Sequence, residues 1–280
     1  MGRRASLAAV LAASAAFALL GSACTGGYGA TPTDVPNRGG AITLTHSAIA
    51  GGLPAQAALA VGAFFAPPGP AESDPWPASG VCQVVTPTPT PSAAPTAATD
   101  FHDAGAIVTL ASPSASLDLD RFASADGTIL YVSGTIDPTT IAPTDVFALS
   151  FPGGSGAHAL PPATLAGAIT MPTALALSGP DFSSGNVTLP GAFFITWASF
   201  TAGDVQIRLA VAGSSGAVAV ICTAPDTGSF QVAASLVSSL PSGTGQLSVT
   251  RRTTTTTELT PSTVLVGTGR WVEGGVVRIP

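Results

Sequence analysis

The sequence contains no lysine. All of its basic residues are arginine, and charged residues make up only 9% of the chain, against roughly 25% in ordinary soluble domains. The formal charge is −6 and no basic stripe exists, so the chain lacks the electrostatic footprint of a nucleic-acid binder. The absence of lysine beside abundant Ala, Gly, Pro and Arg fits a GC-rich genome. With so few charges, solubility rests on Ser, Thr and the backbone, which suits a static extracellular module better than a crowded cytosol. Aromatic residues are also scarce, at 6%. An outer-membrane barrel carries aromatic girdles at both interfaces, and this shortage makes it the second choice of architecture. Beyond the first 20 residues no stretch is both long and apolar enough to span a bilayer as a helix.

What the chain does have begins with a leader. Gly2-Arg3-Arg4 is a short positive start, residues 5–20 are uncharged and rich in Ala and Leu, and Gly21-Ser22-Ala23-Cys24 follows. A basic start, an apolar run and small residues at a cleavage point describe a secretory signal peptide, here 1–23. Leu20-Gly21-Ser22-Ala23-Cys24 resembles the lipobox of bacterial lipoproteins. That pattern usually carries leucine three residues before the cysteine, whereas Leu20 stands four before it. The resemblance implies a lipidated Cys24, with palmitate-type acyl chains anchoring the mature protein to a membrane. The alternative is an ordinary secreted protein. Several acyl chains anchor stably, because each buried methylene contributes about 0.8 kcal/mol. Thr25, where the best-known sorting rule looks for Asp as an inner-membrane signal, implies the cell outer membrane.

With Cys24 assigned to lipid, Cys82 and Cys222 remain as an even pair. In an oxidising compartment the expectation is one disulfide; the alternative is two separate buried thiols.

Residues 24–38 are Gly-, Pro- and Thr-rich and read as a flexible tether. The body is expected over 39–280. Ile42 and Leu44 alternate with Thr43 and Thr45, the period of a half-buried strand. Leu59–Phe65 is a second strand candidate, with a helical reading open for 55–63. Prolines at 67, 68, 70, 75 and 77 mark 67–80 as a loop, since proline lacks the ladder donor. A short strand at 81–85 leads into a second proline-rich stretch, 86–100. Strand patterns then recur at short intervals, at 106–110, 116–122, 128–133, 146–151, 174–177, 186–189, 193–197, 205–211 and 217–223. Gly, Pro and Asp-Gly turns separate them. Near 235–240, Leu236, Val237 and Leu240 suit a single helical turn that Ser235 would cap and Pro241 would end. Strand, helical turn, strand is how many immunoglobulin-like sandwiches cross between sheets. The expected fold is therefore all-β, an antiparallel β-sandwich of immunoglobulin-like character, either one large sandwich or two small ones.

Several features together are similar to a group of uncharacterised lipoproteins of GC-rich, mainly myxobacterial-type Gram-negative bacteria. They are the lipobox, Gly39-Gly40 leading into the first strand, Asp103-Ala104-Gly105 opening a later one, and Gly228-Ser229-Phe230-Gln231-Val232 running through Leu240-Pro241 into Val249-Thr250-Arg251. The resemblance implies an envelope lipoprotein and supplies no active site.

Candidate chemistry is sparse. Gly153-Gly154-Ser155-Gly156-Ala157 and Gly213-Ser214-Ser215-Gly216-Ala217 approach the G-x-S-x-G elbow, but each ends in Ala and no helix pattern follows. His46, His102 and His158 show no compact metal-ligand spacing and read as surface or loop residues. Asp118 and Asp120 share one strand face, and Asp126 follows in a turn; these three are weak calcium candidates. Asp100 and Asp103 flank His102 and read as loop polarity. Trp76, in the proline loop, is a weak carbohydrate-stacking candidate, while Trp197 reads as core. Thr253–Thr257, after Arg251-Arg252, reads as an exposed strand edge. No catalytic residue, resident metal or cofactor is assigned. The expected function is a non-enzymatic, membrane-anchored surface, structural or binding module, with an envelope protein or polysaccharide as partner. The alternatives are an envelope hydrolase, or a carbohydrate- or calcium-binding module.

Overall fold

A computed structural model describes residues 38–51, 56–66, 76–86, 100–183, 185, 187–200, 203–213 and 216–280. The signal peptide, Cys24, the tether up to residue 37 and most of both proline-rich stretches lie outside the described residues.

The described chain is almost wholly strand. In order it forms β1 (Arg38–Ala50), β2 (Gln56–Phe64), β3 (Cys82–Val85), β4 (Ile107–Ala111), β5 (Ser116–Ala123), β6 (Ile129–Ser133), β7 (Val146–Phe151) and β8 (Ala163–Thr170). Then come β9 (Leu177–Gly179), β10 (Val187–Thr188), β11 (Phe193–Trp197), β12 (Asp204–Gly213), β13 (Gly216–Pro225), β14 (Ser229–Val232), the helical turn α1 (Ala234–Val237), β15 (Gly243–Thr260) and β16 (Thr263–Ile279). The helical reading of 55–63 gives way to β2, whose Ala58, Ala60 and Phe64 are buried on one face.

Two sheets result. The larger runs β3-β13-β12-β15-β16-β1-β2-β6-β5-β4-β7-β8, with β10 beside β16; the smaller is β14-β11-β9. Most pairings are antiparallel, as expected, but β1 and β10 each lie parallel to β16, so the large sheet is mixed. The large sheet folds over itself. Thr255 Oγ1 on β15 donates to the Ala168 carbonyl on β8 (2.6 Å), which brings the far end of the strand path onto β15 and β16. One continuous apolar cluster fills the interior, from Ile42, Phe64, Leu110, Tyr131 and Phe147 at one end to Ile195, Leu209, Leu247 and Val277 at the other.

The crossing near 235–240 forms as the sequence suggests. β14 belongs to the small sheet, β15 to the large one, and α1 joins them with Val237 and Leu240 buried. The cap differs: Ala233 is the N-cap and makes no side-chain cap bond, so Ser235 lies inside the turn. Three other features were not legible in the sequence pattern. β8 was not anticipated, because Ala163–Thr170 holds few large apolar side chains. Gly274-Gly275 lies inside an unbroken β16. A Cβ at Gly274 would sit 2.0 Å from the Leu247 carbonyl oxygen and one at Gly275 2.2 Å from the Phe182 ring, so glycine lets neighbours press onto a continuous strand. Arg251, just ahead of the Thr253–Thr257 run read as an exposed edge, is itself buried. It is 5% exposed and gives Nε to Asp226 Oδ2 (2.7 Å) and Nη2 to Asp226 Oδ1 (2.9 Å). Its remaining donors reach the Ala174 and Ala198 carbonyls, and Trp197 Nε1 donates to Asp226 Oδ1 (2.7 Å). A buried ion pair is tolerable only when its other hydrogen-bonding capacity is satisfied in this way.

Cys82 and Cys222 are disulfide-bonded, directly opposite each other on β3 and β13. The pairing expected from their even count is present.

Candidate functional site

Where the second proline-rich stretch ends, residues 100–103 run extended beside the end of β2. Phe101 bridges Phe65, Ala66 N–H donates to the Asp100 carbonyl (2.7 Å) and His102 N–H to the Phe64 carbonyl (2.8 Å). Side chains alternate along extended chain, so Asp100 and His102 take the same side. The next residue, Asp103, pairs in parallel with Ala159 in the β7–β8 loop. Asp103 N–H donates to the His158 carbonyl (2.9 Å), and Leu160 N–H donates to the Asp103 carbonyl (2.8 Å). His158 is thereby delivered to residues far from it in sequence.

This approach depends on small residues. A Cβ at Gly154 would lie 2.0 Å from the Asp103 carbonyl oxygen. Gly105 has φ +112, open to glycine and strained for other residues. Asp103 and Tyr131 lock the segment. Tyr131 Oη accepts from Ala104 N–H (2.7 Å) and lies 3.2 Å from both Asp103 Oδ1 and the Gly105 carbonyl, to either of which it can donate. Burial pushes the Tyr131 phenol above its ordinary pKa, so it remains a neutral donor. Asp103 Oδ1 also accepts from Gly105 N–H (2.8 Å) and faces Arg121 Nε at 3.3 Å.

Asp100, His102 and His158 converge: one ligand-capable atom from each lies within 4.8 Å of the others. His158 Nδ1 stands 3.2 Å from Asp100 Oδ2, and the two imidazole rings are 6.0 Å apart at their centroids. His158 and Asp100 are about half exposed and His102 is partly buried. Asp100 and His158 line a cleft of about 630 Å³ together with Asp103, Arg121, Asp126 and Ser155.

Of the residues singled out in the sequence, Asp100, Asp103, Asp126, Ser155 and His158 line this cleft and His102 joins the cluster, while the others fall elsewhere. Asp118 and Asp120 are exposed on β5, Asp118 accepting from Thr109 Oγ1 (2.8 Å). Asp126 closes the β5–β6 turn, accepting from the Ser124 hydroxyl and from Thr128 N–H (3.0 Å); these bonds hold its carboxyl below the usual range. The three do not converge as a ligand cluster among the described residues. Trp76 is half-buried, with the Arg252 guanidinium 3.8 Å from its ring centroid, so that cation covers one face. Trp197 is core, as read. His46 corrects the surface reading: it is 8% exposed on β1 and stacks flat on Trp271 of β16 (3.9 Å, 15°). Ser155 lines the cleft with His158, though no hydrogen bond joins them among the described residues. Ser214, Ser215 and Cys24 lie outside the described residues. The convergence of Asp100 and His102 with His158 was missed; the Asp-x-His alternation on extended chain was the signal for its first half.

No family model matches this chain, and no curated protein does. Among solved structures it is similar to a tetra-tandem repeat in the extending region of a large adhesion protein, at 14% identity and a TM-score of 0.20. The match covers 83% of this chain and about half, 49%, of the other. An overlap of that quality carries no functional weight.

Proposed function

We propose that this chain is an exported, lipid-anchored β-sandwich lipoprotein of a bacterial envelope, acting as a non-enzymatic surface, structural or binding module. The observation that carries this reading is the Cys82–Cys222 disulfide. Such bonds persist in oxidising compartments and are rare in the cytosol, which agrees with a leader ending in a lipobox-like Cys24. The nearly all-strand build and the open character of the Asp100–His158 cleft also suit a static module. Its partner would be another envelope protein or a polysaccharide, and the outer membrane is the proposed location.

The test is the intact mass of the protein purified from its native membrane, with and without reductant. The expected result is a mass for residues 24–280 plus acyl chains, rising by about two hydrogens on reduction. Cys24→Ser should move the protein from the membrane fraction to the soluble one. An unmodified mass, or membrane association unchanged in Cys24→Ser, overturns the anchoring.

An envelope hydrolase ranks second, on the observation that Ser155, His158 and Asp100 line one cleft. Labelling of Ser155 by a fluorophosphonate would promote that reading; a chain left unlabelled removes it.

A further inference from the structure

We propose that Asp100, His102 and His158 form a binding site for a late first-row divalent cation of the zinc, nickel and copper class. The argument starts from the ligand atoms. Two imidazoles and a carboxylate, one atom each, stand within 4.8 Å of one another. In tetrahedral zinc coordination, with bonds near 2.0–2.1 Å, neighbouring ligand atoms are about 3.3 Å apart. The Asp100–His158 edge is already at that length, 3.2 Å. His102 completes the set: its ligand atom lies within 4.8 Å of the other two, and its ring nitrogens hold no side-chain hydrogen bond among the described residues that would oppose a turn of the ring toward them.

The backbone beneath is pinned, so little ordering is needed on binding. His102 N–H is bonded to Phe64, the His158 carbonyl to Asp103 N–H, and Asp103 to Leu160. Asp103 is held by Gly105 N–H, Tyr131 and Arg121. It therefore acts as a support that fixes the segment, in the way outer partners orient metal ligands.

The donor set selects the metal. Calcium and magnesium take oxygen ligands, usually several carboxylates and carbonyls. Imidazole suits zinc, nickel and copper. Both cysteines of the body are spent in the disulfide and do not compete as thiolates. Three protein ligands on an exposed site leave a coordination position for water or for a donor from a partner molecule.

The experiment is calorimetric titration of zinc chloride into the full mature chain, purified without a polyhistidine tag, in chelator-free buffer. Saturable binding of one ion per chain is expected. His102→Ala and His158→Ala should each weaken it at least about tenfold. Both sites are partly exposed and keep their backbone bonds, so the metal-free melting temperature should stay unchanged. Asp100→Asn, a conservative change, should weaken binding without abolishing it. Cobalt chloride should give visible d–d absorption that zinc displaces and excess calcium does not. Zinc binding that survives both histidine substitutions puts the ion elsewhere and overturns the proposal. So does the absence of saturable binding below about 1 mM zinc. Neither outcome bears on whether Cys24 carries lipid.

Discussion

His46 shows how a single side chain ties stability to pH. It sits in β1 opposite Trp271 of β16, its ring stacked on the indole and its Nδ1 buried without a hydrogen-bond partner. Burial pushes its pKa below the ordinary 6.5. A proton on His46 would be poorly solvated there. The native state therefore binds that proton more weakly than the unfolded chain. Stability is complete above pH 6.5 and falls as pH drops through that value, levelling below the depressed native pKa. Urea midpoints between about pH 5 and 8 should show this slope, and His46→Phe should flatten it. A variant that keeps the full wild-type slope would assign the effect to another group. The sequence hid His46 because the Ile42-Leu44 alternation that reaches it, read to Thr45, stops one residue short. It hid Arg251 for a different reason. An arginine ahead of five threonines looks solvated, and its burial depends on Asp226, brought back across α1 from 25 residues earlier.

At the scale of elements, alternation revealed most strands but not their neighbours. Val205–Val211, Val146–Phe151 and Phe193–Trp197 carry large apolar residues at every second position, and each is a strand with that face buried. β8 is the instructive failure. Its backbone lies against glycines of β16, so it needs little side-chain bulk to fill the gap. A Cβ at Gly267 would sit 1.7 Å from the Ala168 carbonyl oxygen, and one at Gly269 2.2 Å from that of Thr170. Those distances leave no room for even a methyl group. Gly267→Ala should therefore push β8 away and destabilise the fold by roughly 1–3 kcal/mol, the usual cost of overpacking. Gly134→Ala, with nothing within 4 Å of its added Cβ, is the control and should be close to neutral. Hydrogen exchange locates the damage. Faster exchange at β8 amides in the Gly267 variant supports the contact, while loss spread evenly over the sheet would mean that β8 is not held through these glycines. The parallel pairing of β1 with β16 was equally invisible, because periodicity specifies a buried face and carries no information on strand partner or direction.

For the whole molecule, the Asp100–His158 cluster and the disulfide express the same limit on sequence reading. Both join residues that only the folded chain brings together. The cysteines were legible because an even count in an exported chain has a default partner, whereas aspartate and histidine carry no such rule. The bond spans 140 residues, and the loop it closes contains β4–β12. Chain entropy assigns a loop of that length about 5 kcal/mol of stabilisation through the unfolded state. A local role is also in view. β3 is four residues long and lies at the end of the sheet path, paired with β13 alone through four residue pairs, so Cys82 pins a weakly held edge strand. The double substitution Cys82→Ser and Cys222→Ser separates the two contributions. If the entropy of the unfolded chain dominates, the urea midpoint falls by several kcal/mol equivalent while β3 amides keep native exchange rates under folding conditions. If the bond chiefly pins the edge, β3 exchanges fast and the global midpoint moves little. We expect the first outcome in the midpoint and partial loss at β3. The long loop sets the unfolded-state term regardless of position, and a four-residue edge strand has few hydrogen bonds with which to hold itself.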